Sequence, residues 1–141
     1  MHVLTATQVM ELIARVFPQA AGFAEVVRLG EGTLDARLAD DGSGRTLRPG
    51  DTVSGPTQMT LCDTAAYMLL LSMIGERPLA VTTQLSINFM RRAPASNLIA
   101  HARMLKLGKR LAVMDVLVTS DAEPGGPIAH AQVTYSIPPS S

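Results

Sequence analysis

The stretch Met59–Ile74 reads MTLCDTAAYMLLLSMI, sixteen residues in which Asp63 is the only charged side chain. So long an apolar run exceeds one strand and folds as a helix buried against something larger. A carboxylate inside such a helix is strongly penalised unless it is paired, so Asp63 needs a hydrogen-bond partner or a chemical role. Just upstream, RPGDTVSGPTQ supplies a helix start: Ser54 is a candidate N-cap, followed by Gly55 and Pro56. The helix is expected over about 55–74, its first-turn N–H groups facing whatever lies in front of them.

A periodic segment over about 5–17, TATQVMELIARVF, places Val9, Leu12, Ile13 and Val16 at helical spacing and stops before Pro18, which predicts a short amphipathic helix. FAEVVRL (23–29) and TLDARLA (33–39), split by Gly30-Glu31-Gly32, read as a first hairpin, and DDGSGRTLRPGD (40–51) as a loop. After Pro78 the period becomes two: Val81, Thr83, Leu85, Ile87 and Phe89 alternate with Thr82, Gln84, Ser86 and Asn88. Strands over about 97–106, 110–119 and 129–137 follow, with a turn at Leu107-Gly108-Lys109, a Gly/Pro loop over 121–127 and a frayed tail over 138–141. Short links between the last four strands favour antiparallel pairing. The expected architecture is α+β, a long central helix wrapped by a curved antiparallel sheet.

Composition narrows the function. At 141 residues, 47% hydrophobic and 17% charged, the chain is expected to be one globular domain over 1–141. Twelve basic and twelve acidic side chains give no net charge, and three Phe, two Tyr and no Trp leave few stacking platforms, which argues against a nucleic-acid partner. The single Cys62 forms no internal disulfide, and MHVLTATQVMEL has no secretory pattern, so a cytoplasmic location is expected. Met59–Ile74 is too short and too interrupted for a membrane span. Eight Met suggest a deformable interior, as core filling or as the lining of an acyl tunnel. His2, His101 and His130 lack metal-ligand spacing and carboxylate companions nearby in sequence, and Gly42, Gly44 and Gly50 make no nucleotide fingerprint, so no metal or separate cofactor is expected.

Ser54 through Asp63, SGPTQMTLCD, resembles the HGGxxxxLxD signature of the PaaI-type acyl-CoA thioesterases of the hotdog fold, keeping the first Gly, the Leu and the Asp in register. TTQLSINFMRRAP (82–94), LKLGKRLAVMDVLV (105–118) and AHAQVTYSI (129–137) are similar to the strands that follow it in that family, so the resemblance spans about residues 20–138. Ser54 stands in place of the family's His, Pro56 in place of its second Gly, and Arg48 where many relatives carry an Asn. The resemblance implies thioester hydrolysis, with Gly55 N–H as oxyanion donor, Asp63 as general base or nucleophile, and Thr82 holding the attacking water.

Eight residues of helix, at about 1.5 Å each, separate Gly55 and Asp63 by roughly 12 Å, too far for one carbonyl, so the two are expected to meet across a dimer interface. A homodimer, and a dimer of dimers as homotetramer, is the expected assembly. Ser54, Gln58 and Asn88 are candidate substrate-binding residues, Asn88 sharing a strand face with Gln84. Arg91, Arg92, Lys106, Lys109 and Arg110 are candidates for the phosphates of a coenzyme A moiety, the substrate's own. The alternative from another class is a non-catalytic hotdog module that binds acyl-CoA or a related thioester.

Overall fold

The computed structural model describes residues 2–44 and 46–139; Met1, Arg45 and the tail residues Ser140 and Ser141 lie outside the described residues. Helix α1 spans Ala6–Val16, started by a capping box in which Thr5 and Gln8 exchange side-chain and backbone hydrogen bonds. A short 3-10 turn, Pro18–Ala20, follows. Strands β1 (Glu25–Gly30) and β2 (Thr33–Leu38) form a hairpin closed by Glu31-Gly32, with Gly32 at φ 65° as a tight turn requires. The expected loop over 40–51 is in part structured: β3 (Leu47–Arg48) pairs with β4 (Thr52–Val53) around Pro49-Gly50-Asp51. Two-residue strands carry too little periodicity to be read from sequence. Helix α2 spans Gly55–Ile74, and β5 (Val81–Phe89), β6 (Leu98–Leu107), β7 (Leu111–Ser120) and β8 (Ala129–Ser136) complete the chain.

One six-stranded antiparallel sheet has the order β1-β2-β6-β7-β8-β5, and α2 packs across its concave face, the hotdog arrangement. Three one-residue bulges, at Val27, Thr83 and Leu105, help bend the sheet around the helix. Leu61, Ala65, Met68 and Leu69 of α2 meet Leu34, Ala100, Val116 and Val133 of the sheet in one buried core. The helix is nonetheless not covered all round: Pro56, Met59 and Thr60 are exposed and Asp63 half-buried, a stripe at helical spacing beside β5, which is a sheet edge. No helix among the described residues is long and apolar enough to cross a membrane.

Candidate active site

The start of α2 offers fewer donors than its sequence suggests. Ser54 Oγ accepts from Thr57 N–H at 3.3 Å and pairs with Thr57 Oγ1 at 2.8 Å, while Gln58 N–H bonds Ser54 O at 3.1 Å. Pro56 has no N–H. Gly55 alone in the first turn therefore keeps an N–H without an acceptor among the described residues. The β3–β4 hairpin fixes this terminus through Ser54 N–H to Thr46 O at 2.9 Å and Val53 N–H to Ala93 O at 2.8 Å. Gly55 also sits against Phe89 at the far end of β5, where an added Cβ would lie 3.3 Å from Phe89 Cζ.

Asp63, two turns further along α2, is held on one oxygen. Oδ1 accepts from Thr82 Oγ1 at 2.6 Å and from Tyr135 OH at 2.8 Å, and Oδ2 has no partner among the described residues. Thr82 reaches it because of the bulge at Thr83. Strict alternation would put Thr82 on the face of Gln84, Ser86 and Asn88; the extra residue instead aligns Thr82 opposite Tyr135 and on the helix face with Leu85 and Ile87. Gln84 and Asn88 lie on the other face, which separates Asn88 from the carboxylate. Tyr135 was not singled out by sequence; a Tyr in an alternating strand carries no signal beyond an apolar position with a polar tip. Its ring stacks on Tyr67 at 5.8 Å, and burial, with the Asp63 charge beside it, pushes its phenol above the ordinary range, so it remains a donor.

A cavity of about 380 Å³ opens beside these groups, lined by Asp63, Thr64, Thr82 and Tyr135 on its polar side and by apolar residues of α1 and β5 on the other. None of the described methionines lines it, so the suggested Met tunnel is not here; Met68 and Met114 are core filling. Cys62 is fully buried, and desolvation, then the Asp63 charge, pushes its thiol up to about 12, which leaves it inert beside the carboxylate.

The remaining candidates do not form one cluster. Gln58 is buried, its Nε2 donating to Val53 O at 3.1 Å, and its Oε1 has no partner among the described residues. Arg91 donates to Pro127 O at 2.9 Å and Arg92 to Gly50 O, both at the Gly55 end of the sheet. Lys106, Lys109 and Arg110 are exposed at the β6–β7 turn, the end that holds Thr82 and Tyr135. Within one chain the two basic groups lie at opposite ends of the strands. His101 and His130 do have carboxylate companions, supplied across strands: Asp35 at 2.9 Å and Asp115 at 3.1 Å, on the outer face of the sheet. Among the described residues no group of three or more His, Cys, Asp and Glu is placed to hold a metal.

Comparison with known proteins bears on the family and the fold. The family model of the thioesterase superfamily matches residues 50–125, which includes Gly55, Asp63 and Thr82. A candidate thioesterase from Silicibacter sp. TM1040 is 40% identical over 99% of this chain and 95% of its own, with a TM-score of 0.87. The fold is shared by zebra fish thioesterase superfamily member 2 (23% identity, 96% and 99% covered, TM-score 0.79) and by the Escherichia coli PaaI protein of the phenylacetic acid degradation operon (19%, 96% and 95%, 0.79). No curated protein matched. With its hotdog fold and the Gly55 to Asp63 spacing inside the matched segment, the chain belongs to the thioesterase superfamily.

Proposed function

We propose that this chain is an acyl-CoA thioesterase whose active site is shared between two protomers. The observation that carries this reading is Asp63: fixed on Oδ1 by Thr82 and Tyr135, without a partner on Oδ2 among the described residues, and lining a cavity with an apolar far side. A water donating to Asp63 Oδ2 and to Thr82 Oγ1 sits in position for general-base attack. Asp63 takes its proton as the oxygen bonds the thioester carbon, and the carbonyl oxygen becomes an oxyanion. Collapse breaks the C–S bond, and the thiolate recovers the proton from Asp63, giving a carboxylic acid and free coenzyme A.

The oxyanion needs a donor that Asp63's own surroundings lack. Gly55 N–H is such a donor, but about 12 Å along the same helix. A second copy removes the difficulty. β5 is an unpaired edge, and an antiparallel two-fold pairing of that edge sets the Thr82 end of one strand beside the Phe89 end of the other, bringing the partner's Gly55 toward Asp63. The same operation brings Arg91 and Arg92 of one protomer toward Lys106, Lys109 and Arg110 of the other, where together they suit the phosphates of coenzyme A. The exposed stripe of α2 and the exposed Phe89 and Met90 give that pairing an apolar surface to bury. Pairing of two such dimers into a homotetramer extends the same reading, as does a cytoplasmic site of action.

Thiol release from a panel of acyl-CoAs tests the activity, and sedimentation tests the assembly. Release with a dimer or larger assembly is expected; a stable, active monomer overturns the shared site. Single turnover in heavy-oxygen water is expected to leave Asp63 unlabelled, whereas label in its carboxylate makes it the nucleophile. One observation favours a second reading, a non-catalytic thioester-binding module: Ser54 is occupied by capping, so a single N–H must hold the oxyanion. Tight binding of thioether analogues with no thiol release selects it.

A further inference from the structure

Helix α1 carries an apolar stripe longer than the core it covers. Val9, Leu12 and Ile13 are buried, and the same spacing continues to Val16, 39% exposed, and Phe17, 41% exposed. What lies under that end is the cavity that also holds Asp63 and Thr82. Ala20 of the 3-10 turn and Val81 at the start of β5, itself 57% exposed, border the same space. Apolar side chains from three elements, left uncovered by the fold, thus face a cavity whose opposite side is the carboxylate.

We propose that this cavity takes the acyl chain of the thioester, that Val16, Phe17 and Ala20 form its far wall, and that α1 thereby selects short and medium acyl groups over long ones. The proposal rests on the thioester reading for its occupant. With the reacting carbonyl at Asp63, the carbon chain continues into the neighbouring cavity, whose far side is apolar. At about 380 Å³ the cavity sits near the lower end of the roughly 300–1,000 Å³ of small-molecule pockets, which suits a compact acyl group. Phe17 is the C-cap of α1, and its backbone N–H bonds Ile13 O, so its side chain can be changed without removing the bond that ends the helix.

The test compares wild type, Phe17→Ala and Ala20→Leu on saturated acyl-CoAs from acetyl to palmitoyl, and on thioether analogues of the same lengths. Opening the wall with Phe17→Ala is expected to raise the long-to-short ratio of kcat/KM about tenfold, and filling it with Ala20→Leu to lower the ratio by a similar factor. Dissociation constants of the thioethers follow the same order. A length-independent loss in both variants, or an unmoved profile, overturns the wall. An unmoved profile with altered sedimentation assigns the end of α1 to a subunit contact instead. If wild type releases no thiol while thioether preference still shifts with these variants, hydrolysis is wrong and the wall stands; if no thioether binds, both fall.

Discussion

Two carboxylates of this molecule hold hydroxyl and ring partners on opposite faces of one sheet, and the one that looks less like a catalytic group has the better claim. On the outer face, His101 bonds Asp35 through Nδ1 and Thr119 Oγ1 through Nε2, each at 2.9 Å, an acid–imidazole–hydroxyl series beside a groove of about 500 Å³. On the inner side, Asp63 has among the described residues Thr82 and Tyr135 as partners, and a smaller cavity. The outer series lies in the middle of the β2–β6–β7 ladder, where neighbouring backbone N–H groups serve strand pairing. Among the described residues it therefore offers a developing oxyanion side-chain donors such as Arg28 and Arg103 but no backbone N–H at a helix N-terminus. Asp63 lies on a stripe that starts at the helix N-terminus, beside an unpaired strand edge and an apolar space. What separates the two is the backbone around them, not the inventory of side chains.

The comparison breaks most sharply at Asp63 itself. Asp63→Asn keeps volume and removes the base, and is expected to lower kcat at least a hundredfold while His101→Ala leaves it within about twofold. Survival of more than about a tenth of the activity, a barrier change under roughly 1.4 kcal/mol, would remove Asp63 from the chemistry. Equal losses in the two variants would return the outer face to consideration.

Gly55→Pro probes the backbone half of the contrast. Ser54 already has φ −65° and ψ 153°, which suits a residue before proline, and proline is accepted at a helix's first position, so the change deletes the first-turn N–H that is free among the described residues; residue 55 also precedes Pro56, so circular dichroism checks that the helix is kept. A kcat loss of about a hundredfold is expected. Gly55→Ala, which adds the same crowding against the half-exposed Phe89 but keeps the N–H, serves as control and should retain most activity. Matching losses would mean that crowding, not the donor, is what Gly55 avoids.

Smaller effects should separate the two groups behind Asp63. Thr82→Val and Tyr135→Phe each remove one hydroxyl, with an expected loss of about tenfold, or ~1.4 kcal/mol, in kcat. Thr82→Val should be the larger because that hydroxyl also meets the water; the reverse order would give Tyr135 the closer role.

The smallest effect is on stability at high pH. Cys62 is raised from its ordinary 9.0 to about 12 by burial and by Asp63, so the folded thiol keeps its proton where the unfolded one loses it. That contribution is intact below about 9 and is lost as pH rises toward about 12. Tyr135, shifted in the same direction, adds to the fall. Melting temperatures across this window should decline less steeply for Cys62→Ala, and an unchanged slope would place the alkaline transition elsewhere.

Sequence made the large elements legible because each has its own period. The apolar run of α2 and the alternation in β6, β7 and β8 are signals repeated over many residues. The site was legible at the Ser-Gly-Pro start and the lone charge in α2, and Thr82 only through the family resemblance. Tyr135 was hidden, since its use depends on which residue of α2 lies above it. The placement of the basic residues was hidden for the same reason: close in kind, they lie at opposite ends of the strands within one chain. Of the first-turn N–H groups, that of Thr57 is used by the Ser54 cap and that of Gln58 by the first intrahelical bond to Ser54 O.

The bulge at Thr83 makes the chemistry depend on parity. Between Thr82 and Leu85 the strand counts one residue more than its partner, and that odd count turns the Thr82 hydroxyl inward. Substitutions along β5 alter side chains but leave the count alone. Loss of the Thr83 codon would leave Thr82 opposite Tyr135 in plain alternation, whereas gain of one codon between Thr82 and the kept bulge would turn Thr82 to the outer face, with no functional group deleted. In the evolution of such a strand, length is under a constraint distinct from composition, and point mutation alone cannot explore it.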